Sequence, residues 1–373
     1  MKRLLFMKNS THVLHDERNL IFSRVRLKKD SSEYKKYYQN HPELKAFDDL
    51  VRGLDITAKL RESDDFKRLF LPLTTKNNTL LKALHELVEN TPVQERILTP
   101  KNFHHNIKEI TKHYGAKDVG IVKLKKHHYY THHGMQSNAI GKNLYGLKTD
   151  QSYTHAIVYI IPMNLDMINR SPHFETYLAS QDSYLNIAYI GSKLTLYLKQ
   201  LGYSSTFQSE AYYLTPMVPL AYDAGLGEIG MANHLVHPNY GDAIRIGAVL
   251  TTLPLEASSP IDFGLKAFCK RCALCLMNCP SRSITHRTRL VNGYQFYKFN
   301  DQTCFRLWKN TGTDCGTCIQ SCPFTQGIDQ KTQTWMKNDN EKIDQVIKKH
   351  LEMNTRRKYS KEPLPIIRLK KEH

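Results

Sequence analysis

Eight cysteines, all between positions 269 and 322 of a 373-residue chain, are the residues whose type and spacing could most plainly do chemistry. Four of them form Cys269-x2-Cys272-x2-Cys275-x3-Cys279-Pro280, the run in which three thiolates hold one [4Fe–4S] cluster and the fourth reaches a second. The remaining four are Cys304 and the run Cys315-x2-Cys318-x3-Cys322-Pro323. A second complete run would need a cysteine where Gly312 stands, so Cys304, set back by a ten-residue insertion, completes the set. The arithmetic predicts one cluster on Cys269, Cys272, Cys275 and Cys322, and another on Cys304, Cys315, Cys318 and Cys279. Soft sulfur suits iron that changes oxidation state. The proline after each run cannot continue a helix and turns the chain away. Two zinc sites would separate their cysteine pairs more widely and need no trailing proline. Disulfides are a feature of exported chains, and no export signal is read here.

An electron carrier needs only the cysteine-bearing segment, yet 268 residues without a single cysteine precede it. The clusters are therefore expected to feed a reducible centre held upstream. Residues 1–100 read as mostly helical: Leu80, Leu81, Leu84 and Leu87 share one face of Asn77–Asn90. Asn102–Tyr114 reads as a second amphipathic helix, ended by Gly115. Val119–Leu124 and Ala156–Ile161 are short β-branched runs, expected as buried strands, with an aromatic loop from His127 to Gly134 between them. A long helix is expected over Tyr177–Leu201, with Tyr184, Ile187, Gly191, Leu194 and Leu198 on one stripe and Gly202 as its cap. A helix entering a Gly-rich turn over Pro219–Gly230 and a strand at Ala243–Thr251 follow. The expected fold is an α/β (α+β) core over 101–260, a ferredoxin-like double-cluster module over 261–330 and a basic tail over 331–373.

The net charge of +18 makes nucleic acid or acidic partners physically reasonable, but the lysines are scattered and no aromatic-interleaved RNA-binding signature accompanies them. A Lys-rich surface explains the charge more simply. The longest apolar run near the core, Ala156–Met163, is far short of the ~20 residues that span a bilayer. Met1–Lys8 lacks the apolar stretch of a secretory signal and has no twin-arginine pair, so a cytoplasmic location is expected. The His127-His128 and His132-His133 doublets suggest metal at first sight, but no cysteine or carboxylate accompanies them in sequence, and a solvated rim loop is the expectation.

Ordered blocks then carry a resemblance. They are Glu17–Arg24 (ERNLIFSR), His41–Leu44 (HPEL), Val119–Leu124 (VGIVKL), Pro219–Glu228 (PLAYDAGLGE), Thr251–Leu255 (TTLPL) and Phe268–Cys272 (FCKRC), with Cys304–Trp308 (CFRLW) and Gly312–Cys318 (GTDCGTC) last. With the split second cysteine run, they make the chain resemble the corrinoid-dependent reductive dehalogenases and, more distantly, the epoxyqueuosine reductases. The resemblance implies a corrinoid (cobalamin) beside the two [4Fe–4S] clusters, and an anaerobic electron-transfer chemistry in which Co(I) attacks a carbon–halogen bond. It implies a catalytic tyrosine early in the long helix, matching Tyr184, and an arginine before the last core strand, matching Arg245. A phenol is a reluctant acid, and a guanidinium would stabilise the phenolate and lower its pKa toward the working pH. Read alone, Tyr184 is a core tyrosine and Arg245 a strand-edge cation.

The resemblance further implies an organohalide substrate and an electron-donor protein of ferredoxin or flavodoxin type. The backbone at Gly225, Gly227, Ser281 and Ser283 is expected to offer donors to the corrinoid. Tyr212 replaces the asparagine common in the family and is expected to reshape the pocket; Met231 departs from the usual continuation of the Gly-Leu-Gly-Glu turn. The alternative reading is an epoxyqueuosine reductase-like enzyme acting on tRNA, for which the general-acid position falls on Ala211 beside Glu210.

Overall fold

The computed structural model describes residues 13–53, 68–97, 102–135, 140–354 and 362–368; the Met1–Lys8 segment lies outside them. Among the described residues, four helices of nine or more residues precede the sheet: α1 (Ser32–Asn40), α2 (Pro42–Val51), α3 (Asn77–Asn90) and α4 (Phe103–His113). The core then runs β1 (Asp118–Lys123), β2 (His155–Pro162), α5 (Phe174–Gln200), β3 (Ser205–Gln208), α6 (Met217–Asp223) and β4 (Ile244–Thr251).

The four strands form one sheet in the order β1-β2-β4-β3, and every neighbouring pair is antiparallel. The core is therefore α+β and not a parallel α/β sheet. β2 reads HAIVYIIP, with seven of its eight residues buried, because helices cover both faces of this central strand. On one face α5 and α3 pack against Ile157, Tyr159 and Val249. On the other, α6 packs against Val158, Ala248 and Leu250. β3 pairs with β4 only from Ser205–Gln208 to Thr251–Ala248, so the Ile244–Gly247 stretch of β4 has no strand partner on that side. That notch is where the cavity described below opens.

Gly247 shows how tightly the α5 face is packed. A Cβ there would lie 2.4 Å from Cζ of Tyr159, whose ring is fully buried and whose hydroxyl donates to Ile187 O at 2.7 Å. Gly247→Ala is expected to cost about 2 kcal/mol, read as a lower urea midpoint with an unchanged slope.

The cysteine-bearing segment is more structured than its loop-rich composition suggests. It holds α7 (Leu265–Cys272), a hairpin of β5 (Ile284–Val291) and β6 (Tyr294–Phe299), α8 (Asp301–Thr311), α9 (Gln330–Met336) and α10 (Asn340–Met353). The expected basic tail is thus largely helical as far as Met353. Met336 and Ile343 bury against Phe268, Cys272 and Phe324, so α9 and α10 are part of the packing around α7.

Candidate active site

Tyr184 sits on the third turn of α5, and Arg245 is the second residue of β4, on the face that α5 covers. Their side chains meet: the guanidinium carbon lies 5.1 Å from the centre of the Tyr184 ring. Ser180, one turn before Tyr184, accepts a hydrogen bond from Arg245 Nη2 at 2.7 Å and donates to Thr176 O. Asp314 Oδ2 lies 3.8 Å from the same nitrogen. Arg245 is therefore held from two sides, while its buried Nε has no partner among the described residues.

Both residues line a cavity of about 1010 Å³ filling the notch beside β4. That is the upper end of the ~300–1,000 Å³ usual for ligand sites, far more than a two-carbon halide would fill. Glu210, Gln208, Met217 and Asp314 also line it, with Phe22, Lys28 and Trp308 from the N-terminal segment and α8. Burial pushes the Tyr184 phenol up to about 12, and Glu210 and Asp314 add to the rise. Arg245 acts in the opposite direction, as the sequence suggested, but does not win. The phenol keeps its proton at neutral pH.

Glu210, which the sequence reading left without a role, is a second titratable group in this wall. Burial, then Asp314, pushes its carboxyl up to about 7, against Arg26 and Arg245. The folded state holds this proton more tightly than the unfolded chain does, so stability falls as pH rises from 4.5 to about 7. Glu210→Gln is expected to leave stability unchanged at pH 4 and to raise it at pH 8 by about 3 kcal/mol, checked by urea unfolding at both pH values.

Cys269, Cys272, Cys275 and Cys322 surround one small cavity of about 30 Å³. Cys304 lies within electrostatic reach of Cys315 and Cys279, and Cys318 within reach of Cys315, Cys275 and Cys304. A tetrahedral zinc would draw its sulfurs to within about 3.8 Å of one another. Among the described residues, the only group with three such ligand atoms mutually within 4.8 Å contains no cysteine. His234 and Asp242 line both this small cavity and the large one, so the two cavities share a wall.

The expected corrinoid contacts fall elsewhere. Ser281 Oγ lies 3.4 Å and Ser283 N 3.3 Å from Cys279 Sγ, so these serines serve a thiol and do not line the large cavity. Gly225 and Gly227 are glycines because a Cβ would come within 2.3 Å of Ser259 O and Val236 O respectively; they too lie outside the cavity lining. Tyr212 packs edge-on to His85 at 5.4 Å and stacks near His133 at 5.9 Å, while its neighbour Tyr213 lines the cavity. A one-residue shift in a loop reverses which side chain faces inward, and no periodic signal marks it.

The histidine loop is also not the solvated rim expected. Folding brings Asp223 and Tyr294 to it: His128 Nε2 lies 3.0 Å from Asp223 Oδ2, and Tyr294 donates to the same oxygen at 2.9 Å. His127, His128 and Asp223 form the compact three-ligand group noted above. His128 Nδ1, however, accepts the Lys125 N–H at 3.1 Å, which places the ring proton on Nε2 and makes that atom a donor. The cluster is a buried hydrogen-bonded junction.

The fold is shared with solved reductive dehalogenases. It superposes on the catabolic reductive dehalogenase NpRdhA with a TM-score of 0.72 over 93% of this chain and 47% of that one, at 19% identity. Another solved reductive dehalogenase structure, described as suggesting a mechanism for B12-dependent dehalogenation, gives a TM-score of 0.67 over 82% of this chain and 45% of that one, at 22% identity. In sequence, it is similar to the tetrachloroethene reductive dehalogenases of Sulfurospirillum multivorans (29% identical, 46% of this chain and 36% of that protein) and Dehalobacter restrictus (28%, 48% and 33%). A 72-residue stretch is 40% identical to the epoxyqueuosine reductase of a Synechococcus strain, covering 19% of this chain and 21% of that protein. No family model matches. The matches span about a third of the length of the first two curated relatives and less than half of the solved chains. Among the described residues no helix is long and apolar enough to cross a membrane.

Proposed function

We propose that the chain is a corrinoid- and iron–sulfur-dependent reductase that removes halogen from an organohalide: the substrate takes up two electrons and one proton, and releases halide. The observation carrying this reading is the Tyr184–Arg245 pair, stacked at 5.1 Å in the wall of a cavity of about 1010 Å³. The residues present fit the groups the reading requires. The cavity is large, Arg245 lines it with a buried Nε that has no partner among the described residues, and Cys269, Cys272, Cys275 and Cys322 line the small cavity that shares His234 and Asp242 with it. Cys269, Cys272, Cys275 and Cys322 would hold one cluster, and Cys279, Cys304, Cys315 and Cys318 the other. When bound, the corrinoid would supply a strongly reducing cobalt and the clusters its electrons, delivered by a ferredoxin- or flavodoxin-type donor.

The chain's own part is to hold and deliver a proton. Tyr184 Oη carries it at neutral pH. As it leaves for the substrate carbon, the guanidinium of Arg245 balances the phenolate, and Ser180 and Asp314 keep that guanidinium from swinging away. The decisive experiment is anaerobic reconstitution with iron, sulfide and cobalamin, followed by an assay for halide release across chlorinated and brominated aliphatics and phenols. A reconstituted protein that releases no halide from any of them sinks the reading. One observation favours a second reading, an epoxyqueuosine reductase-like enzyme on tRNA: Glu210 is an acid with a raised pKa in the cavity. Binding to tRNA in a gel-shift titration would support it.

A further inference from the structure

Gln208 ends β3 and is 1% exposed. Its orientation is settled by the backbone, since Leu214 N–H donates to Oε1, which leaves Nε2 as the free end of the amide. That nitrogen has no hydrogen-bond partner among the described residues, yet Gln208 lines the large cavity. Buried donors are almost always satisfied, and one left open in a cavity wall points to an acceptor on whatever fills it.

The register says which occupant this is. Gln208 pairs with Ala248, so it faces the α6 side of the sheet with Met217 and Val218, while Arg245 faces the α5 side with Tyr184. Three residues of β4 separate Arg245 from Ala248, about 10 Å along the strand. A small organohalide held against Tyr184 and Arg245 cannot also reach Gln208 on the opposite face. A molecule that occupies the notch and spans both faces can. We propose that Gln208 Nε2 donates a hydrogen bond to a carboxamide oxygen on the rim of the bound corrinoid, a contact that rests on the functional reading above. Corrin rings carry acetamide and propionamide arms around their edge, so acceptors are available where small haloalkanes have none.

The test needs no turnover. Cobalamin is titrated into the apoprotein and its visible spectrum gives Kd for wild type, Gln208→Met and Gln208→Glu, with circular dichroism to confirm folding. Met removes the donor. Glu keeps an oxygen for Leu214 N–H but puts an acceptor where the donor was, so the pair separates lost folding from lost recognition. Both variants are expected to bind cobalamin about tenfold more weakly while binding 2,6-dibromophenol, followed by ligand-observed NMR, as wild type does. Unchanged cobalamin affinity in either folded variant overturns the inference and leaves the functional reading standing. Weakened bromophenol binding with unchanged cobalamin binding also overturns it and assigns the acceptor to the substrate. Wild-type apoprotein that takes up no cobalamin sinks both.

Discussion

Tyr184→Phe is expected to lower halide release by the reconstituted protein by a factor of about 10²–10⁴ while leaving cobalamin affinity and folding near wild type. The substitution removes one oxygen and preserves the ring that Arg245 covers at 5.1 Å. What is lost is the proton. With its phenol pushed up to about 12 by burial, Tyr184 is protonated at any working pH, so the site holds a ready donor and pays in acid strength. Arg245 offsets part of that cost only as the phenolate forms, which is where a charge-balancing group helps most. Arg245→Lys keeps the charge but loses the planar group that reaches the ring and Ser180 together, and a smaller loss is expected. Single-turnover halide release, compared in H2O and D2O, reads the step directly. Full activity in the phenylalanine variant would remove Tyr184 from the chemistry.

Cys322→Ala and Cys279→Ala are each expected to remove about half of the iron from the reconstituted protein, and from different sets. The prediction tests the crossing of the runs, in which Cys322 joins Cys269, Cys272 and Cys275 although it lies in the second run. The prediction is motivated by the small cavity that these four thiols help to line. Cys322→Ala should also loosen α7, since Cys322 packs with Phe268, Cys272 and Phe324 in the cluster that α9 and α10 join. Iron analysis with EPR of the reduced protein distinguishes the two losses. Zinc in place of iron, or loss of all iron from either variant, would break the assignment.

Much of this was legible from the chain, though unevenly. β1, β2 and β4 lie within a residue or two of their expected limits because buried β-branched runs have few other fates. α5 begins at Phe174, three residues before expectation, since His173 caps without a side-chain hydrogen bond and leaves no mark. Strand direction was not legible at all: apolar runs report burial and say nothing of which neighbour runs which way. The β5–β6 hairpin was missed because Thr285–Arg289 is largely exposed and shows no clean alternation, although Asn292-Gly293 is a strong turn signal. α10 was hidden by its charges, yet Ile343, Val346 and Ile347 are spaced on one face behind an Asp339 cap. Cysteine spacing carries its chemistry in one dimension. Glu210 and Gln208 acquire theirs only when a strand stops short and a loop folds into the gap, and no local pattern encodes that.

The junction at His128, Asp223 and Tyr294 has a mechanical consequence. Tyr294 belongs to the hairpin that follows Cys279, while Asp223 and His128 belong to the sheet core. Asn233 adds a two-way bond to the backbone of Tyr297, donating to its carbonyl at 2.9 Å and accepting its N–H at 2.8 Å. Swinging the hairpin away would strand several buried polar groups at once, so sulfur-bearing segment and sheet travel as one body. Electron tunnelling between them would then have a fixed gap, with its rate set at folding instead of by a docking event in each cycle.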